Sequence, residues 1–195
     1  AYLQTRLQGI HYIRGETVVI GKEMSFFTHS ARLIFQPRLR KMERFAQRID
    51  ELQQQQLHYL LRTASRTVWG QHYDFTHIKD YQTFSQRIPL QAYDDLSPYI
   101  HCMINGEPNI LWPGTTHWFA KSSGTTSDKS KFIPVTNDIL HRCHYQGPKD
   151  IVAFYLRNYP ASRLFEGKGL ILGGSHSPSP LNQRVHQGDL SAVLL

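Results

Sequence analysis

Apolar side chains recur at helical spacing in the first third of the chain. Leu39, Met42, Phe45, Ile49 and Leu52 form one stripe, which resumes at Leu60, Leu61, Ala64 and Val68. This period predicts a single long amphipathic helix from Pro37 to about Val68. Pro37 suits the first helical position, where its missing N–H is not needed. Gly70 suits the stop just past the end. Arg38, Arg40, Lys41, Arg44 and Arg48 fall largely off the stripe and read as a solvated face.

Shorter elements follow. Tyr81 to Arg87 reads as a helix carrying Phe84, closed by the breaker Pro89. Asp94 or Asp95 can cap a helix leading into Tyr99 and Ile100. Asn105-Gly106 and Pro113-Gly114 are turn signals, with an extended stretch predicted from Pro108 to Trp112. His117 to Ala120 has the aromatic character of a strand. After Phe132-Ile133-Pro134-Val135, Thr136 and Asn137 offer caps for a helix from Asp138 to Leu156, which Pro148 should kink near Gly147. Gly169 to Leu172 reads as a buried strand, Ser177 to Pro180 as loop, and Asp189 as the cap of a last helix. No internal repeat is visible.

Composition narrows the class. Among 195 residues, 40% are hydrophobic and 19% charged, which is globular material with enough chain to bury a core. Cys102 and Cys143 form no disulfide framework, and reduced thiols in a cytoplasmic protein are the simplest reading. No apolar run approaches a membrane span, and the N-terminus lacks a secretory signal layout. The chain starts with Ala1 and its next methionine is Met24. Residues 1–34 are therefore set apart as an N-terminal extension, either non-native or poorly ordered, and 35–195 as the folded part. The formal charge of +7 attracts polyanions without choosing among them.

The chemistry concentrates in residues 121–131. Ser122, Ser123, Thr125, Thr126 and Ser127 supply hydroxyls around Gly124, and Lys121, Lys129 and Lys131 supply cations. Small residues let backbone N–H groups converge on oxygen, hydroxyls donate further bonds, and ammonium groups neutralise charge, so the combination suits phosphate. It is not a Walker A loop, because no Gly-Lys-Ser/Thr tripeptide occurs. Gly167-Lys168-Gly169 with Gly173 misses the dinucleotide fingerprint by one position.

The order Ser-Ser-Gly-Thr-Thr-x-x-x-x-Lys resembles the phosphate loop of the adenylate-forming superfamily, and more closely the auxin-responsive acyl acid–amido synthetases. Trp69-Gly70, Phe84, Ile88-Pro89, Tyr93-Asp94-Asp95-Leu96, Tyr99-Ile100 and Asn105-Gly106-Glu107 also follow that family's order, as does Phe132-Ile133-Pro134 after the loop. One departure is Asp128, where the plant pattern has glycine; a carboxylate beside a triphosphate is unfavourable unless it turns away or pairs, as with Lys129.

The resemblance implies an α/β chain: the N-terminal part of an adenylate-forming large domain, incomplete by itself and led by a long helix. It implies that Ser122, Ser123, Gly124, Thr125, Thr126 and Lys131 hold the phosphates of ATP, with Mg²⁺, and that Lys131 acts in catalysis. The implied reaction adenylates a carboxylic acid and passes the acyl group to an amine such as an amino acid. A ligase using coenzyme A is the alternative within enzymes, and a non-catalytic basic interaction module the alternative outside them. The family's adenine and ribose motifs do not occur here, so the piece is expected to be inactive alone and to leave apolar surface bare. His141, Cys143 and His144 are too few to close a zinc site. Trp112, Trp118 and Phe119 are expected in the core rather than as base-stacking platforms. Neither nucleic acid nor membrane is an expected partner.

Overall fold

The computed structural model describes residues 26–122, 130–166 and 168–194. The long helix predicted from Pro37 to Val68 is instead two. The first, α1, spans Phe26–Glu43 and carries Pro37 inside it; the second, α2, spans Ile49–Ala64. A 3₁₀ turn at Phe45–Gln47 separates them. Pro37 leaves the carbonyl four residues earlier without its helical donor, and packing against a later helix, α7 (Gln146–Asn158), accompanies the helix through it. The break has its own local logic. Asp50 and Glu51 sit in the first turn of α2, where carboxylates suit the positive end of the helix dipole, and Arg48 clasps Glu51 at 2.6 and 2.7 Å. The stripe crosses this break exposed, with Phe45 at 41% and Ile49 at 55%.

The arginine face is not all solvated. Arg38 donates from Nε to Asp150 at 2.5 Å, and to the side chain and carbonyl of Gln146 at 2.8 and 3.0 Å. It thus bolts α1 to α7. Thr28, fully buried, adds a 2.6 Å bond to the carbonyl of Ser162.

Gly70 is not a helix stop. It lies inside a short helix, α3 (Val68–His72), begun by Thr67, whose hydroxyl accepts the Gly70 N–H at 3.0 Å and donates to the Ala64 carbonyl at 2.7 Å. α2 ends at Ala64, so the two helices meet at a tight corner. A Cβ on Gly70 would stand 2.0 Å from the Ala64 oxygen, which is why no side chain fits. Helix α4 occupies Tyr81–Arg87 as predicted, with Asp80 accepting the Thr83 N–H at 2.7 Å. Helix α5 (Tyr93–Ile104) ends in the Asn105-Gly106 turn, where Gly106 adopts φ +95°.

Pro108 to Trp112 is not extended. Asn109 and Gly114 close a ring, with Asn109 N–H to the Gly114 carbonyl at 3.0 Å and Gly114 N–H to the Asn109 side chain at 2.8 Å. The ring docks on α3 through the N–H groups of Val68 and Trp69. Local side-chain hydrogen bonding by Asn outcompetes the extended state here.

The sheet has four strands in the order β2-β1-β4-β3, where β1 is Trp118–Lys121, β2 Phe132–Val135, β3 His176–Pro178 and β4 His186–Gly188. β1 runs antiparallel to β2 and parallel to β4, and β3 antiparallel to β4. One face carries Phe119, fully buried with Val185 against Ile100, Met103 and Ile104 of α5. The other packs Ala120 and Val135 against Leu140 and the last helix, α8 (Leu190–Leu194). Phe119 is therefore core, while Trp112 and Trp118 are half-buried at cluster edges.

Three further expectations are corrected. His176–Pro178, expected within loop from Ser177 onward, is a strand; its place at the sheet edge accommodates Pro178, which cannot donate to a ladder. Gly169 to Leu172, expected to be a buried strand, joins no strand, and Leu170, Ile171 and Leu172 are 86, 72 and 83% exposed. An apolar run becomes a strand only where an edge is offered to it, and among the described residues none is. The helix expected from Asp138 does not kink at Pro148. It passes from α6 (Asn137–Ile139) into a π-helical turn at Leu140–His144 and restarts at Gln146, so that Pro148 falls in the first turn, where a missing N–H costs nothing. Thr136 caps α6 by accepting the Ile139 N–H at 3.2 Å. Asp189 precedes α8 but turns its carboxylate to the Ser175 N–H at 3.1 Å.

Two measurements test this scaffold. Gly70→Ala should destabilise the chain by about 1–3 kcal/mol in urea unfolding, the range for forced overpacking. The bond from Thr83 holds the Asp80 carboxyl below its ordinary range. Its contribution is therefore present above about pH 4 and lost as pH falls through the folded value. Asp80→Asn should accordingly flatten the acid side of a melting-temperature profile and leave its slope near neutrality alone.

Candidate functional site

The hydroxyl-and-lysine loop joins β1 to β2, so the sheet holds both of its ends. The last ladder pair is Lys121 with Phe132. Beyond it, the Ser122 N–H donates to the Lys131 carbonyl at 2.9 Å, and the Lys131 N–H donates to the Ser122 hydroxyl oxygen at 3.2 Å. Ser122 and Lys131, nine residues apart, thus form the neck of the loop. Ser123, Gly124, Thr125 and Thr126, with Asp128 and Lys129, lie outside the described residues.

A residue not singled out for chemistry braces this neck. Tyr93, the first residue of α5, accepts the Phe132 N–H at 2.8 Å and donates to the Phe132 carbonyl at 3.3 Å through the same hydroxyl. Its ring lies under the Lys131 ammonium, 5.3 Å from nitrogen to centroid. That face is electron-rich and attracts a cation without neutralising it. No carboxylate lies within ion-pair distance of Lys131 among the described residues, so its charge stays available to an anion. Tyr93 is placed in turn by Asp95, whose carboxylate accepts the Ala92 N–H at 2.8 Å and fixes the start of α5. Of the two aspartates proposed as caps, Asp95 does the work, from inside the first turn. The signal in the sequence was the Tyr-Asp-Asp-Leu block itself, which spacing alone could not connect to a loop nearly forty residues away.

Chemically, the neck offers a half-buried hydroxyl that accepts one backbone bond, next to an exposed ammonium with no carboxylate partner among the described residues. The sheet and α5 hold both from behind, which is an arrangement suited to an oxyanion rather than to a metal. Among the described residues no group of three or more histidine, cysteine, aspartate and glutamate side chains could hold a metal ion. His141 instead packs edge-on to Tyr145, at 5.5 Å between ring centroids. No described helix is long and apolar enough to cross a membrane.

Comparison with known proteins identifies the family and the fold. A family model described as the GH3 family N-terminal domain matches residues 38–194. Indole-3-acetic acid-amido synthetase GH3.2 of Arabidopsis thaliana is 30% identical over 105 residues, which is 53% of this chain and 19% of that protein. Jasmonoyl–L-amino acid synthetase JAR6 of Nicotiana attenuata is 29% identical over 137 residues, 64% of this chain and 23% of that one. The solved structure of GH3.15 acyl acid amido synthetase superposes with a TM-score of 0.65 at 23% identity, over 80% of this chain and 28% of that chain. The architecture is therefore that of the N-terminal portion of the fold seen in that synthetase. The chain spans about a fifth of the length of GH3.2 and under a quarter of JAR6.

Tyr93→Phe removes both bonds to Phe132 and leaves the ring under Lys131. Expected are a loss of about 1 kcal/mol of stability and faster amide hydrogen exchange at Phe132, measured by NMR, with the α3 amides unchanged.

Proposed function

This chain belongs to the GH3 family, and from that membership we propose that it is the N-terminal part of an ATP-dependent ligase that adenylates a carboxylic acid and passes the acyl group to an amino acid. The observation that carries the reading is the neck itself. A loop of hydroxyls and cations closes on Ser122 and Lys131, and the Lys131 ammonium at its mouth has no carboxylate partner among the described residues.

In this reading residues 35–195 form the first part of the adenylate-forming large domain, and residues 1–34 an extension. Ser122, Ser123, Gly124, Thr125, Thr126 and Lys131 hold the phosphates of ATP. Carboxylate and nucleotide both arrive as anions, so charge neutralisation and alignment dominate the chemistry. Lys131, fixed by Tyr93 rather than by a carboxylate, meets the pyrophosphate as it departs. The loop hydroxyls and backbone N–H groups share its remaining charge. Mg²⁺ would bind phosphate oxygens and supply further neutralisation. The two cysteines, with no partner between them, suit a reducing cytoplasm.

Two measurements on the chain test the proposal. Mg²⁺–tripolyphosphate, which presents the anion without the base or sugar, should raise the melting temperature, and combined Thr125→Ala, Thr126→Ala and Lys131→Ala substitution should abolish the shift. Unchanged stabilisation in the triple variant would refute the phosphate role of the loop. The chain by itself should catalyse no ATP–pyrophosphate exchange.

A further inference from the structure

Helix α1 presents two faces. One holds it to the rest of the chain, with Thr28 on the Ser162 carbonyl and Arg38 on Asp150. That side also forms a wall of a cleft of about 880 Å³ between α1, α2, the segment at Trp112 and the π-helical turn. The other face turns to solvent, and its composition is not that of a solvated helix. Phe26, Phe27, Leu33 and Ile34 are 78, 64, 58 and 74% exposed, with the two phenyl rings edge to face at 6.1 Å. Four large apolar side chains so close together make a patch rather than scattered exposure.

Cations continue the same face. At about 100° per residue, Phe26, Leu33, Pro37, Arg40 and Arg44 fall within an arc of about 60°, and helical rise sets Arg44 about 27 Å beyond Phe26. Lys41 flanks that arc. Arg40, Lys41 and Arg44 are exposed, and none has an ion-pair partner among the described residues. The one carboxylate of α1, Glu43, is taken by Arg157. A groove of about 320 Å³ runs among the three cations and reaches Arg48. The face thus has an apolar end, a cationic end and no free negative charge.

That pairing selects the occupant. A nucleic acid would engage the cations and leave the phenyl rings in water. A second copy would set apolar ends against cationic ends if antiparallel, and would oppose like charges if parallel. A protein partner would need pockets shaped to four protruding side chains. An anionic bilayer meets both ends without them: the acyl boundary takes the apolar side chains, and headgroup phosphates lie level with the cations. We propose that the solvent face of α1 docks the protein on anionic lipid surfaces, its apolar end sunk to the acyl boundary and its cationic end among the headgroups. The docking is peripheral, since no described helix is long and apolar enough to cross a bilayer. It does not rest on the phosphate reading of the loop.

The test is co-sedimentation of this chain with vesicles of phosphatidylcholine alone or with about one-third phosphatidylglycerol. The chain should bind the anionic vesicles, ignore the neutral ones, and release as salt rises. Arg40→Gln with Arg44→Gln should weaken binding about twenty-five-fold, or about fivefold per charge. Phe26→Gln with Leu33→Gln should weaken it at least tenfold. All four positions are exposed, so neither pair should move the melting temperature appreciably. The combined Thr125→Ala, Thr126→Ala and Lys131→Ala variant should sediment as the parent does. Equal binding to both vesicle types, undiminished binding in either pair variant, or loss of binding in the loop variant would each overturn the proposal. So would a soluble oligomer that the Phe26 and Leu33 pair dissociates. Absence of stabilisation by Mg²⁺–tripolyphosphate, with vesicle binding intact, would refute the reading of the loop and leave this one standing.

Discussion

The Tyr93 hydroxyl takes the N–H and reaches the carbonyl of Phe132, two backbone groups that the end of a short hairpin would otherwise leave to water. β1 and β2 have only four residues each, and a two-stranded ribbon of that length is marginal by itself. Anchoring it to the first residue of α5 ties the ribbon to the largest buried cluster, that of Ile100, Met103, Ile104 and Phe119. The position of Lys131 then follows from core packing rather than from the loop's own preferences. A carboxylate partner could have held the lysine as well, but it would have spent the charge. An aromatic face holds it and leaves the charge unspent.

The helical layer solves a separate problem. α1 has few buried residues of its own: Thr28 alone is fully covered, while Phe26, Phe27, Leu33 and Ile34 stand exposed. Its attachment is consequently polar, through Arg38 to Asp150 and Gln146 and through Arg157 to Glu43 at 3.2 Å. Guanidinium donors in a planar fork fix direction better than apolar contacts do, and this fixes where one wall of the 880 Å³ cleft stands.

Helices with a local signal were legible in the sequence. The breaker Pro89 closed α4, Thr136 announced α6, and Asn105-Gly106 marked the end of α5. Those governed by distant contacts were not. The stripe from Leu39 to Leu52 keeps its period across the break at Phe45–Gln47, because the residues that force the break are acidic ones at the start of α2, not apolar ones. Gly70 carried the composition of a stop but serves a close approach to Ala64. The Ser-Pro-Ser-Pro stretch hid a strand because its pairing partner, β4, was itself unrecognised. For the site, the residue types of the loop were plain and Ser122 and Lys131 do meet. Tyr93 was invisible as a brace, since its partner is 39 positions away.

The extra residue in the turn at Leu140–His144 has a consequence for how such chains diverge. One residue adds about 100° of rotation to a helix. The side chains before the turn and those after it, such as Asp138 toward Tyr59 of α2 and Gln146 toward Arg38 of α1, therefore have independent phases. Deleting a single codon there would restore continuous α-helical winding and swing Gln146 and Asp150 away from Arg38. An insertion or deletion at this point acts as a dial on the wall of the cleft while the hairpin on the other side of Thr136 keeps its setting.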